Sequence, residues 1–269
     1  MTGLVIAVAA LWGAATGVLV PRAAYRFSVP AGEEGWRERC PGGHPIRGPI
    51  RGWIGPARCR ACADGAVTAV TAVTAVTTDD ADTAVAKKSY GPSAPLLALV
   101  TALLCAGLAA ATGTRPEIGV WLLIAPVGVL LAVVDFRVKR LPDVLTLPLA
   151  AAVLALLGVV ALVPEHAGDW VTALLASLAL GAGYFVLWLI NPGGMGFGDV
   201  KLALGTGAAL GWYGWPTVML GTFAGFLLGA LYGGALLVAR RAGRKTAIPF
   251  GPFLIAGAYV GLLIGAYAA

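Results

Sequence analysis

Two aspartates stand where an acid is costly. Asp135 closes the apolar run Leu130-Leu131-Ala132-Val133-Val134 and is followed by Phe136-Arg137; Asp199 follows Gly193-Gly194-Met195-Gly196-Phe197-Gly198 and precedes Val200-Lys201. A carboxylate in or beside a membrane-length apolar segment is by default a functional hypothesis. Two of them brought together in a partly desolvated cavity cannot both ionise easily and share a proton. One then activates a water while the other donates to a scissile carbonyl, the arrangement of an aspartic protease. Gly196 and Gly198 let another backbone, such as an extended substrate peptide, come close to Asp199. Lys201 and Arg137 flank the pair and are candidates for tuning the carboxylates or holding substrate. Each Asp also has a plainer reading as a helix cap or an interfacial charge. Asp143, in Leu141-Pro142-Asp143, fits the cap of the following helix better than the other two, with a secondary role at the site left open. Glu165 and Asp169, with His166, read as a solvated loop.

A second constellation is built of soft ligands. Cys40-Pro-Gly-Gly-His44 and, fourteen residues on, Cys59-Arg-Ala-Cys62 give Cys-x3-His and Cys-x2-Cys on Gly/Pro-rich turns. Such spacing suits a structural tetrahedral Cys3His zinc site, which has no open coordination position for catalysis. Arg39, Arg47, Arg51, Arg58 and Arg60 would help stabilise thiolates. The alternative is incidental loop cysteines. Cys105, inside an apolar run, reads as packing.

The elements that must hold these groups are membrane helices. Of 269 residues, 59% are hydrophobic and only 12% charged, half the charge of a typical soluble domain. Uncharged runs cover residues 2–21, 89–114, 118–134, 144–164, 170–198, 202–239 and 246–269, and a span needs roughly 20 apolar residues. The run at 202–239 holds 38 residues and would be roughly twice the 30 Å hydrocarbon thickness as one helix, so it must fold back. The turn signal is Gly211-Trp212-Tyr213-Gly214-Trp215-Pro216. Eight passes result, the sixth short, with Asp199 at its start.

Lys and Arg orient the chain. With the N-terminus outside, the inner segments hold ten basic residues from Arg22 to Lys88, then Arg137, Lys139 and Arg140, then Lys201, then Arg240, Arg241, Arg244 and Lys245, leaving Arg115 alone outside. This positive-inside bias accounts for the net charge of +6 without a nucleic-acid partner and places Asp135, Asp199 and the Cys/His segment on the cytoplasmic face. Residues 3–20 have no basic residue ahead of them and read as a retained helix, not a signal peptide.

The expected fold is therefore an all-α polytopic membrane protein of about eight transmembrane helices, with a small cytoplasmic zinc-binding loop domain after the first. Its divisions are a first helix at 1–20, a Cys/His segment at 21–65, a low-complexity linker at 66–93 that includes the repeat AVTAVTAVTAVT, and a helical domain at 94–269.

Three motifs in order on this frame resemble the type IV prepilin peptidase family, intramembrane aspartyl proteases of the GxGD class. Gly196-Phe197-Gly198-Asp199-Val200-Lys201-Leu202 resembles the GxGD motif with its following Lys. Asp135-Phe136-Arg137, continuing through Leu141-Pro142-Asp143, resembles the segment around the first catalytic Asp, and Ile248-Pro249-Phe250-Gly251-Pro252-Phe253 resembles the proline-rich lead-in to the last helix. The resemblance implies Asp135 and Asp199 as the catalytic pair, a multi-pass protein of the cytoplasmic membrane, and prepilin or pseudopilin precursor peptides as substrates. Residues 17–30 resemble the family's approach to its cytoplasmic domain, although Pro21 falls where an Asn is usual. Residues 40–62 resemble its paired CxxC zinc motif, with His44 in place of one cysteine. Many bacterial members also methylate the new N-terminal amine with S-adenosylmethionine, an activity associated with this half.

Two rival classes use some of the same residues. A proton-coupled transporter can carry paired intramembrane Asp residues, but no repeated half is visible in the hydropathy and both Asp residues sit toward one face. A non-enzymatic zinc-bearing secretion-assembly protein would explain the cysteines and leave the Asp pair without a role.

Overall fold

The computed structural model describes residues 2–30, 35–63, 89–239 and 248–269. The AVT repeat, Asp79, Asp80, Asp82, Lys87, Lys88 and the basic cluster from Arg240 to Lys245 lie outside the described residues. In hydrocarbon a backbone must satisfy its own hydrogen bonds, which makes each long apolar run a helix. Eight long helices form among the described residues: α1 (Thr2–Phe27), α2 (Ala94–Thr112), α3 (Ile118–Val138), α4 (Asp143–Val160), α5 (Trp170–Ile190), α6 (Phe197–Gly211), α7 (Trp215–Val238) and α8 (Gly251–Ala268). All except α6 are long and apolar enough to cross a membrane. The 15 residues of α6 reach about 22 Å at 1.5 Å each. The long run at 202–239 does fold back: α6 stops at Gly211, Gly214 adopts φ 95°, and α7 begins with Pro216 in its first turn, where the missing N–H was unpaired anyway.

The first helix is longer than expected, continuing past residue 20 through Pro21 to Phe27. Its extra two turns are held by the Cys/His segment. Arg22 donates to the carbonyls of Ile54 and Pro56, Arg26 to that of Arg51, and the Tyr25 hydroxyl to that of Arg39. The Phe27 and Trp53 rings sit 4.8 Å apart. The segment itself is irregular, with isolated bridges at Arg39–Pro45 and Arg58–Ser89 and no strand among the described residues.

The short helix α6 is the centre of the bundle. It packs on α4, α5, α7 and α8, and most of its residues from Asp199 to Gly211 are buried. Hydrophobicity cannot pull helices together within lipid, so close backbone contact between small residues takes its place. A Cβ at Gly207 would lie 2.7 Å from the Ala176 carbonyl oxygen of α5. The helix α3 packs on α1, α2, α4 and α8. It runs parallel to α1, because Ala9 clusters with Ile118 and Leu122 while Val20 and Ala24 cluster with Val129 and Val134. The Cys/His segment and the C-terminal end of α3 thus share one end of the molecule.

Candidate active site

Asp135 sits one turn before the end of α3, and Asp199 in the first turn of α6. The C-terminal end of α3 and the N-terminal end of α6 meet here, and both carboxylates line one cavity of about 250 Å³. Asp135 is 4% exposed and Asp199 6%, so neither is a surface cap or an interfacial charge. One oxygen of Asp135 accepts a hydrogen bond of 3.0 Å from the Gly251 amide at the start of α8. A Cβ at Gly251 would lie 2.8 Å from that same oxygen, so the glycine is what lets the amide reach it. The Ile248–Phe253 motif therefore meets the Asp135 motif in space. Phe250, the residue before, packs against Tyr184 of α5 and Phe226 of α7 at 6.0 and 5.1 Å.

Asp199 is set by the glycines ahead of it. Its amide donates to the Gly196 carbonyl at 3.0 Å, which begins the helix. A Cβ at Gly198 would fall 2.9 Å from the Leu141 Cβ, so the bare glycine seats α6 against the α3–α4 connection. Leu141 itself is 4% exposed.

The flanking charges depart from expectation. Asp143 is the first residue of α4, where a negative charge suits the helix dipole, but it caps no backbone: the N-cap position is Pro142 and no side chain caps the helix. Its carboxylate instead meets Lys201 of α6 at 2.6 Å, on the rim of the same cavity. With the Asp143 side chain 63% exposed, this pair orients more than it stabilises. Lys201 also lies 5.0 Å from the Phe197 ring centroid. The side-chain cap appears at Asp169, which had read as a solvated loop residue; its carboxylate accepts from the Thr172 amide at 2.7 Å and hydroxyl at 2.6 Å. Arg137 is exposed and does not line the cavity. Lys139 and Arg140 do. The helix ends just before them, at Val138: Lys139 turns left-handed at φ 54° with its amide on the Asp135 carbonyl at 2.8 Å, which changes the course of the chain toward Leu141. Sequence reading missed Lys139, Arg140 and Gly251; Pro142, which stops a helix shortly before it, was the available signal for the first two.

The four soft ligands converge as a second site. The Cys40, His44, Cys59 and Cys62 ligand atoms lie within 4.8 Å of one another and can hold a metal ion. Sulfur–sulfur separation is 3.7 Å for Cys40–Cys62, and the His44 Nδ1 lies 3.3 to 3.7 Å from the three sulfurs. A tetrahedron with zinc bond lengths has edges of about 3.8 Å between sulfurs and about 3.6 Å from sulfur to nitrogen, so the cluster has the dimensions of such a site. Burial and the crowding of neighbouring thiols push the Cys62 thiol up to about 12. Burial acts the same way on Cys40, but hydrogen bonds from His44 and the other two cysteines outweigh it and bring that thiol down to about 7. A divalent cation at the centre would let all three ionise. Cys105 is buried in apolar packing on α2.

Residues 118–234 match the model of the type IV leader peptidase family. The chain is 36% identical over 181 residues to the prepilin leader peptidase/N-methyltransferase of Aeromonas salmonicida, covering 64% of this chain and 58% of that protein. To the protein of the same description from Pseudomonas aeruginosa it is 35% identical over 187 residues, 66% and 61% of the two chains. To that from Burkholderia pseudomallei it is 29% identical over 261 residues, 90% and 70%. The matches to the first two thus span about 60% of the length of those relatives. No solved structure matches the chain.

Proposed function

With a type IV leader peptidase family domain over residues 118–234 as premise, we propose that this chain is a membrane-embedded aspartyl endopeptidase that removes the basic leader from type IV prepilins or related pseudopilins at the cytoplasmic face. The observation that carries this reading is the convergence of Asp135 and Asp199, from separate motifs, on one small cavity. Buried side by side, the two carboxylates hold one proton between them. The ionised one takes a proton from water as it attacks the scissile carbonyl, and the protonated one hydrogen-bonds the developing oxyanion and then supplies the leaving amine. The Gly251 amide orients Asp135 through one oxygen and leaves the other for the reaction. Gly196 keeps the approach to the Asp199 carboxylate free of a side chain, Gly198 supports it by letting α6 seat on Leu141, and Lys201 with Asp143 steadies the rim. Arg137, outside the cavity, is left the role of an inner-face charge.

The domain limits proposed from sequence are kept, with the first helix carried on to Phe27. The Cys/His segment is proposed to hold structural zinc through Cys40, His44, Cys59 and Cys62. The zinc would tie the two turns of the segment together and leave the chemistry to the carboxylates. The relatives' descriptions also name an N-methyltransferase, and we extend the proposal to methylation of the new N-terminus with S-adenosylmethionine. A cavity of about 650 Å³ beside the cluster, lined by Arg22, Arg47, Arg58, Arg60 and Tyr90, has the size of a small-molecule site and guanidinium groups for a carboxylate.

Co-expression with a candidate prepilin tests the peptidase. Asp135→Asn and Asp199→Asn abolish cleavage, whereas Asp143→Asn retains part of it; efficient processing by Asp199→Asn would sink the proposal. The mass of the mature pilin N-terminus reads out methylation. Metal analysis reads out zinc, which is present in the wild type and lost from Cys59→Ser.

A further inference from the structure

The helices that carry Asp135 and Asp199 share almost no interface along their lengths. Neither α3 nor α6 counts the other among its packing partners. Between them lies an apolar cavity of about 430 Å³, walled on one side by Trp121, Gly128 and Val133 of α3 and on the other by Gly205, Thr206 and Ala209 of α6. The gap itself carries no direct contact between the two helices; along their lengths, among the described residues, they are bridged only through α4 and α8, which pack on both.

At the end away from the aspartates the two helices are joined directly. The indole Nε1 of Trp121, in the first turn of α3, donates to the hydroxyl of Tyr213, two residues past the end of α6, at 3.1 Å. That hydroxyl in turn donates to Oε1 of Glu117, the N-cap residue of α3, at 3.4 Å. Trp121 and Glu117 are both 0% exposed. Arg115 holds the carboxylate from the other side, with Nε 3.8 Å from the same oxygen. Arg115 is anchored in turn on the carbonyls of Ala111 and Thr112 at the end of α2 and Ala266 at the end of α8. A carboxylate buried at the lipid depth of a helix end is expensive and persists only where it is paired. The peptidase chemistry makes no use of it.

We propose that Trp121, Tyr213 and Glu117 form a clasp of positioning residues that sets the spacing of Asp135 and Asp199 from the opposite end of their helices. The proposal rests on the peptidase reading for its consequence in catalysis, though the clasp itself is a matter of geometry. With the clasp closed, α3 and α6 are pinned to each other at one end and carry their working groups at the other. With it open, the apolar gap permits the helices to splay, and a shift of about 1 Å at the reacting groups is enough to cost up to a hundredfold in rate.

The test uses the full-length chain in lipid nanodiscs, with Tyr213→Phe as the main variant because it deletes one hydroxyl and leaves the ring. Glu117→Gln serves as a second variant, and Tyr259→Phe as the control. The control removes a comparable hydrogen bond, from α8 to the Leu104 carbonyl at 3.3 Å, that does not join α3 to α6. Spin labels are placed at Arg137 and Phe197 through keto-bearing unnatural amino acids, which spare the native cysteines, and the distance between the two site ends is read by pulsed dipolar spectroscopy. Prepilin cleavage is measured on the unlabelled variants. Tyr213→Phe is expected to shift or broaden the distance distribution by about 1–2 Å and to lower kcat about tenfold or more with KM within about twofold, while Tyr259→Phe leaves both as in the wild type. A Tyr213→Phe distribution that matches the wild type overturns the clasp whatever the activity, and so does a changed distribution with unchanged kcat. Should the wild type cleave no prepilin, the peptidase reading fails, and the distance measurement still decides whether the clasp holds the helices.

Discussion

At the scale of single residues, the site depends on atoms that are missing as much as on those present. Gly251 places its amide on Asp135 only because it has no Cβ. Gly251→Ala is therefore expected to displace the carboxylate and reduce cleavage by about two orders of magnitude, with thermal unfolding in detergent little changed; a variant with near wild-type cleavage would remove Gly251 from the site. Lys201 and Asp143 form a pair whose acid is largely exposed, so the loss of either is worth at most about 1 kcal/mol of stability. Their effects on cleavage should be non-additive: Lys201→Met, Asp143→Asn and the double variant are all expected to lose activity to a similar partial extent in one double-mutant cycle. Multiplying losses would show that the two act separately. Asp143 was visible in the sequence as an acid at a helix start. What was not visible is the destination of its side chain, since a first-turn carboxylate is equally close in sequence to its own helix N-terminus and, after folding, to a partner on another helix.

At the scale of elements, α6 decides the architecture. It is short, glycine-bearing and buried on most sides, so α5 can approach it closely through Ala176 and the α3–α4 connection can bring Leu141 onto Gly198. Its length and the turn after it were legible in the glycine, aromatic and proline residues of 211–216. Its central position was not, because hydropathy reports how apolar a helix is and not how many neighbours it has. The start of α5 offers a direct check. The Asp169 carboxylate takes both the amide and hydroxyl of Thr172, so Asp169→Ala should destabilise the protein by about 1 kcal/mol, read as a lower unfolding temperature with cleavage intact below it. Asp143→Ala, which caps nothing, is expected to leave that temperature closer to the wild type.

At the scale of the whole molecule, the count of passes controls which face the site meets. The proposed topology, eight crossings with the N-terminus outside, would put Asp135, Asp199 and the Cys/His segment inside and Ala269 outside; if α6 did not cross, α7 and α8 would invert. Reporter fusions at Ala269 should therefore be active as alkaline phosphatase and inactive as a cytoplasmic fluorophore. The opposite pattern would remove α6 as a crossing. The parallel course of α1 and α3 places the four soft ligands and the carboxylates at one end of the molecule, so the proposed cleavage and the proposed methylation would take place at the same end.

By itself the sequence determined the chemistry available and the number of helices, because an acid in an apolar run and a run of membrane length are costly whatever surrounds them. It also determined that four soft ligands lie close enough along the chain to meet. The tertiary structure alone decided which charges face the cavity, replacing Arg137 with Lys139 and Arg140, since a left-handed residue at the end of α3 turns the chain through an angle that no pattern of hydropathy encodes. It alone brought Gly251 to Asp135 and Tyr213 to Trp121. Contacts more than ninety residues apart depend on how helices pack, and in a membrane that packing follows from small residues and buried hydrogen bonds more than from hydrophobicity.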